Sequence, residues 1–486
     1  MFQGCVVLLF CVLVGRVKSL PQVLANSDAC PTYGCTLSRH FFSRSSIPKK
    51  PSIAWYHNYT SEITHGAIHC SSAPGTAICV HHEERGVIAY NVSSGDRVWA
   101  TEDIRGNYNN MGNPTIMENG FALAGANNTF FVISIDSGFV NYENDVTSSL
   151  PKTKNNRNWG PYLIAGPGDN ELALMIAPDG RTAVWNVELG MCWASMYMCP
   201  ENDAVVCQVT PWKASGGWYL PSGSPAIVGN VAYFPARLQK GLSPEEDGRG
   251  AAMVAIETGD MADRLHVKWT VPFNRTSAYA VHTIGDMLVA FTSCHNLAAS
   301  RCVGILGFNI QGEVPRLQWE LSGYVEDVLP SERTTESFFA LNEGDPKIFY
   351  TFLNSTLIQV SVETGKVFGA RIFTDNYSSP MTSFLIVNNS GSTESSIGLS
   401  PLRTASLIIS LEPTNKANQA PLLFALPIPF LKDSNIDDAD SAWKLSLPSR
   451  PVDQVLPVSN AAGQAPENTM MIIGLEKGLI GVKDGQ

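Results

Sequence analysis

The chain has 486 residues and a formal charge of −11 at pH 7. This acidic balance, with no concentrated basic surface to offset it, excludes nucleic acid and anionic membrane as natural partners. Length alone suggests two or three domains, but a repeat along the chain replaces that expectation with one stacked architecture.

Residues 1–19 read as a secretory signal peptide. Phe2 to Gly15 is an almost unbroken apolar run, too short to span a bilayer, and Val17 to Ser19 offers small-residue positions for cleavage. A signal anchor is the alternative. Residues 20–50 follow as an extended leader, whose cationic part from Arg39 to Lys50 is expected in solvent. No later stretch reaches spanning length, so no stable membrane span is expected and the protein is placed outside the cell or in the secretory lumen.

The first strand-like element is Ser52 to Asn58 with Trp55, which has no partners of its own nearby. A complete unit follows: Ala67 to Cys70, Thr76 to Val80, Val87 to Asn91, then Val98 and Trp99 after the turn at Gly95. Its third strand, turn glycine and aromatic recur at Phe131, Gly138 and Tyr142; at Ala183, Gly190 and Trp193; and at Met253, Gly259 and Trp269. They recur again at Ile305, Gly312 and Trp319, and at Leu357, Gly365 and Phe368. A seventh unit lies between Ser379 and Leu447 and ends on Trp443. Its third strand is either Leu407 to Leu411 or Leu422 to Ile428. The last unit supplies Gln454 to Val458, Met470 to Ile473 and Leu479 to Lys483, with no fourth strand. The strand of Trp55 is the piece left over, and pairing it there closes a ring and removes an exposed edge. The expected fold is therefore all-β, an eight-bladed (alternatively seven-bladed) β-propeller of four-stranded antiparallel blades over residues 51–486, closed by an N-terminal strand.

Eleven cysteines occur, two of them inside the signal. Cys70 and Cys79 flank a turn at the spacing of a cross-strand bridge, Cys294 and Cys302 flank a similar loop, and Cys30 and Cys35 bracket a short turn; these are the disulfide candidates. Cys192, Cys199 and Cys207 leave one thiol unpaired. Seven sequons, at Asn58, Asn91, Asn127, Asn274, Asn354, Asn376 and Asn388, are candidate glycosylation sites of a secreted glycoprotein.

The repeated third-strand phrase, with its small and apolar positions, Thr/Ser-Gly turn and following Trp, resembles the repeat of pyrroloquinoline-quinone-type propellers. The likeness is strongest at Gly86 to Trp99, Met253 to Trp269 and Leu357 to Phe368. That family includes quinoprotein alcohol dehydrogenases and non-enzymatic outer-membrane assembly lipoproteins of bacteria. The resemblance implies that Trp55, Trp99, Trp193, Trp269, Trp319 and Trp443 dock neighbouring blades onto one another. It also implies what an enzyme of this kind needs: an adjacent cysteine pair over the quinone, and an Asp base beside a calcium held by Glu, Asn and Asp. The sequence contains no Cys-Cys pair, no Cys-x-x-Cys-His haem site, and no set of carboxylates that maps onto the calcium ligands.

No catalytic, cofactor-binding or metal residues are therefore assigned. His81 to Glu84 reads as a solvated loop, and no nucleophile elbow or zinc-protease motif occurs. A ligand site is expected at the mouth of the central channel, where first strands begin near His65, Asn113, Trp159, Ser224, His282, Glu336 and Ser379. Trp159, Trp212 and Trp218 lie outside the repeated position, and the last two sit in a loop suited to stacking a sugar or gripping a peptide. The expected function is a secreted, glycosylated, non-catalytic binding or scaffold protein for a protein or glycan partner, with no cofactor. The alternative is a quinone-dependent oxidoreductase acting on alcohols or sugars, with pyrroloquinoline quinone and calcium.

Overall fold

A computed structural model describes residues 30–485 other than 33, 37–38, 44–46, 60–67, 82–85, 102–112, 118–119, 127–128, 146–160, 166–170, 177–181, 187–190, 197–212, 215–216, 224, 239–249, 259–264, 274–277, 294–301, 325–338, 343–346, 354–355, 373–376, 383, 389–404, 414–418, 429–442 and 460–468. Among these residues every regular element is a strand, and the strands make eight separate sheets built from consecutive antiparallel strands. The protein is an all-β propeller of four-stranded antiparallel blades.

The first sheet shows how the sequence makes each unit. Ile68–Ala73, Thr76–His81, Gly86–Asn91 and Arg97–Thr101 pair in chain order. Apolar and β-branched residues fill the middle strands, which are buried on both faces, while the fourth strand alternates exposed and buried. Asn91 makes the turn into that fourth strand: its side-chain oxygen accepts from the Ser93 and Ser94 amides, and Gly95 takes φ +78°.

The seventh unit resolves the one ambiguous assignment. Ala405–Pro413 is its second strand and Leu422–Ile428 its third, because Leu422–Ile428 lies between Ala405–Pro413 and Trp443–Ser446. The eighth sheet is closed by the two ends of the chain. Pro51–Asn58 pairs antiparallel with Gly478–Asp484, setting Trp55 opposite Gly481, and Thr469–Leu475 and Leu456–Ser459 complete the order. Lys50 extends this seam, its amide bonding the Asp484 carboxylate at 2.7 Å.

First strands gather at the centre. Ile68–Ala73 lies beside both Leu456–Ser459 and Thr115–Ile116; Ala226–Val228 lies beside Ala278–Ile284, and Phe339–Asn342 beside Leu385–Asn388. Fourth strands face outward and carry most of the exposed large apolar side chains, among them Val98, Leu317, Phe368 and Ile372.

One expectation is overturned. The stretch from Arg39 to Lys50 does not run out into solvent: Arg39, Phe41, Ser43 and Pro48 are buried, and among its described residues only Lys49 and Lys50 are exposed. Phe42–Ser43 adds a short parallel strand to Leu385–Asn388. The local sequence reads as charged and solvated, but its backbone groups are bonded by the surrounding sheets, and that outweighs the charge of a few side chains.

Candidate functional site

Between sheets, the tryptophans follow one local rule. In the pairing of third and fourth strands the register slips by one residue immediately before Trp55, Trp99, Trp269 and Trp319, a β-bulge that re-aims the side chain following it. The residue opposite each of these is small: Gly481, Ala89, Ala255 and Gly307. At three of these four the indole bonds the turn of the next sheet. Trp55 donates to the Val92 carbonyl at 2.8 Å, Trp99 to Ile135 at 2.5 Å and Trp319 to Val362 at 2.8 Å. Each acceptor lies three residues before a glycine of positive φ, namely Gly95, Gly138 and Gly365. A Cβ on those glycines would sit 2.6, 2.6 and 2.7 Å from the indole ring. Glycine serves there twice, for the left-handed turn and for the ring that lies on it.

Two tryptophans depart from the rule. Trp193 stands within the bulge itself, and Ala194 holds the register position that tryptophan holds elsewhere. Trp443 is buried opposite Ala425, but its Nε1 has no hydrogen-bond partner among the described residues. The reason is topological. The indole of one sheet bonds the third-to-fourth turn of the next, and in the eighth sheet those two strands come from opposite ends of the chain, so no such turn exists. Trp443→Phe is therefore expected to cost at least about 1 kcal/mol less than Trp99→Phe, which deletes a bonded donor and strands the Ile135 carbonyl. Urea denaturation of the two variants checks this; equal losses would refute it.

The centre of the ring is occupied by residues 30–32, 34–36 and 39–43. At one end, Cys30 exchanges bonds with Ser72, its amide to Oγ and its carbonyl from the Ser72 amide, both at 2.8 Å. The Pro31 carbonyl accepts from the Ile116 amide at 2.7 Å, and Gln454 brackets the next residues, accepting from the Gly34 amide at 2.7 Å and donating to the Thr32 carbonyl at 3.3 Å. Those partners belong to the first, second and eighth sheets. At the other end, three successive carbonyls accept from three successive sheets. Arg39 O accepts from His282 Nδ1 at 2.7 Å, His40 O from the Leu341 amide at 2.8 Å, and Phe41 O from the Ile386 amide at 2.8 Å. The described residues of the segment thus bond the first strands, or a residue within two of one, of six sheets.

Beneath it sits Asp453, a buried carboxylate that accepts from the Cys70 amide at 2.8 Å and from Asn113 Nδ2 at 3.0 Å, with His69 Nδ1 at 3.6 Å. Asp453 ties the eighth sheet to the first and second, and its neighbour Gln454 ties the same corner to the segment. His282 is fully enclosed, stacked on Phe339 at 3.8 Å and edge-on to Phe41 at 5.9 Å. A carbonyl only accepts, so the His282 proton resides on Nδ1. Burial holds its pKa well below the usual histidine range; the bond to Arg39 O opposes this, and the charges of Arg39 and His40 add to it.

The segment is also where the chain is conformationally strained. Cys35, Arg39 and Phe41, at φ +61°, +61° and +51°, are the non-glycine residues of positive φ among those described. Each costs about 1–2 kcal/mol relative to an ordinary backbone. Contacts compensate locally: Cys35 N bonds Thr32 O, Phe41 N bonds Gly34 O, and a disulfide joins Cys30 to Cys35. A second disulfide, Cys70–Cys79, staples directly opposed residues of the first sheet.

Other candidate residues are placed as follows. Cys302 opens the strand Cys302–Asn309, while Cys294 lies outside the described residues, as do Asn127, Asn274, Asn354, Asn376, Trp159 and Trp212. Asn58 and Asn91 are exposed at strand ends; Asn388 ends a strand, but its side chain is outside the described set. Trp218 lies on Gly217–Pro221, opposite Lys213. Of the positions expected at the channel mouth, Asn113 and His282 do meet the centre. Asp453, Ser72 and Phe41 carry no sequence signal, and Gln454 reads only as the start of a strand that begins at Leu456, because no local pattern distinguishes an Asp-Gln before a strand or a Phe in a leader. Among the described residues no three His, Cys, Asp or Glu side chains group as a metal site, and no helix is long and apolar enough to cross a membrane.

No protein-family model and no curated protein matches the chain. Among solved structures, quinohemoprotein alcohol dehydrogenase from Comamonas testosteroni is similar at 10% identity and a TM-score of 0.48, covering 96% of this chain and 82% of that one. BamB from Moraxella catarrhalis is similar at 9% identity and 0.45, covering 89% and 99%. A europium-containing methanol dehydrogenase is similar at 9% identity and 0.48, covering 93% and 91%. The fold assignment rests on the sheets themselves.

Proposed function

We propose that the protein is a secreted, glycosylated propeller that binds a partner without catalysing a reaction. The observation that carries this reading is the occupied centre. A catalytic site needs titratable groups open to substrate, and here Asp453 and His282 are buried under the chain's own segment. The sequence supports it further, through the cysteine pair and calcium ligands that a quinone enzyme of the resembling family would require and that this chain does not supply. Two disulfides fit an oxidising compartment, and the exposed Asn58 and Asn91 suit glycans. Incubation with pyrroloquinoline quinone and calcium, followed by dye-linked assay on alcohols and sugars, is expected to give neither stoichiometric uptake nor turnover. Tight one-to-one quinone binding with turnover would replace this reading by the oxidoreductase one.

A further inference from the structure

We propose that the central face of the ring is a peptide-binding site, held shut in cis by residues 30–32, 34–36 and 39–43, and that its ligand in trans is a short peptide presenting consecutive main-chain carbonyls and an aromatic side chain. The inference rests on the binding-protein reading and names its site and ligand class.

The face has the chemistry of peptide recognition. Three neighbouring sheets offer donors, His282 Nδ1, Leu341 N and Ile386 N, to consecutive carbonyls at 39, 40 and 41. Donors directed at main-chain oxygens read a backbone whatever its side chains, here one turned by the left-handed Arg39 and Phe41. Selectivity comes from one aromatic side chain: Phe41 is buried, lies edge-on to His282 at 5.9 Å, and belongs to the same apolar cluster as Phe339, Phe349 and Phe384. A short parallel strand, Phe42–Ser43 on Leu385–Asn388, continues the same mode by adding an edge to a sheet.

The occupant is suited to leave. Its three left-handed non-glycine residues are all at or next to the anchor points, so undocking relieves strain that the rest of the described chain does not carry. Its release needs no strand of the sheets to separate except the two-residue Phe42–Ser43 addition. A tethered ligand competes at an effective concentration on the order of millimolar, which masks the site from dilute peptides until the tethered copy is weakened.

The test uses the full chain and a fluorescent synthetic peptide of residues 30–43 with its disulfide closed. In a Phe41→Ala chain the tethered copy is weakened, and the peptide is expected to bind one-to-one at least tenfold more tightly than it binds the unaltered chain. A peptide that itself carries Phe41→Ala should bind at least tenfold more weakly. A folded Phe41→Ala chain that binds peptide no better than the unaltered chain overturns the proposal. Should that variant not fold, hydrogen exchange on the unaltered chain decides. The amides of Leu341 and Ile386 should then exchange at least a hundredfold faster than those of Leu288 and Leu357 in the neighbouring strands. Exchange of all of them only with global unfolding makes the segment a permanent part of the core and sinks the idea. Either failure leaves the non-catalytic reading standing, since only quinone turnover removes that.

Discussion

Trp319→Ala is expected to lower the free energy of unfolding by about 3–5 kcal/mol, the range for removing a large buried aromatic. The ring fills the space between the fifth and sixth sheets, stacked at 6.0 Å on Phe349, with Gly307 opposite it and Gly365 against its other face. Deleting it leaves a void and strips the buried Val362 carbonyl of its 2.8 Å donor. The neighbouring glycine gives an internal control. Gly365→Ala alone carries two penalties, a positive φ of +66° and a Cβ placed 2.7 Å from the indole. In a Trp319→Ala background the ring is gone and only the backbone penalty, about 1–2 kcal/mol, remains. The two substitutions should therefore be non-additive, with the double variant at least about 1 kcal/mol more stable than the sum of the single losses. Strict additivity in urea denaturation would show that the glycine and the indole do not share this contact.

Acidification is expected to destabilise the protein through His282. Its folded pKa lies well below the ordinary 6.5, so on lowering the pH the unfolded chain takes up a proton that the folded chain refuses. The stability it contributes is complete above about pH 6.5 and is lost as the pH falls from there towards the folded pKa. Lowering the pH from 7.5 to 5.0 therefore removes stability by this route. His282→Gln offers a side-chain amide donor to Arg39 O and does not titrate. It should be less stable at pH 7.5 yet lose less stability than the unaltered protein as the pH falls to 5.0. Parallel slopes for the two proteins would place the acid sensitivity elsewhere.

The order of strands was legible because each unit carries its own punctuation. Gly95, Gly138 and Gly365 close turns that only glycine makes without strain, and alternation of small and large apolar residues marks the third strand. The seventh unit was ambiguous for a physical reason: Ala405–Pro413 and Leu422–Ile428 are both buried almost throughout. A strand covered on both faces shows no alternation, so hydropathy does not tell second from third. Trp193 illustrates a different limit. Sequence spacing matched it to the other tryptophans, but pairing places it one position earlier, and a shift of one residue turns a side chain to the other face.

The centre was scarcely legible at all. His282 and Asn113 were visible only as residues near the starts of first strands. Asp453 bonds Cys70 across a sequence separation of 383, and Gln454 bonds Gly34 across 420. Neither contact leaves a local mark.

By itself the sequence determined a repeating all-β chain whose first strand is needed to complete its last sheet. Those features follow from spacing, turn chemistry and the cost of an unpaired edge, all of which act within a few dozen residues. Only the tertiary structure decided that residues 30–32, 34–36 and 39–43 fill the centre, that Trp443 has no turn carbonyl to bond, and that His282 is buried neutral. Each depends on which backbone groups remain unpaired once eight sheets have come together, a property of the assembled ring rather than of any segment.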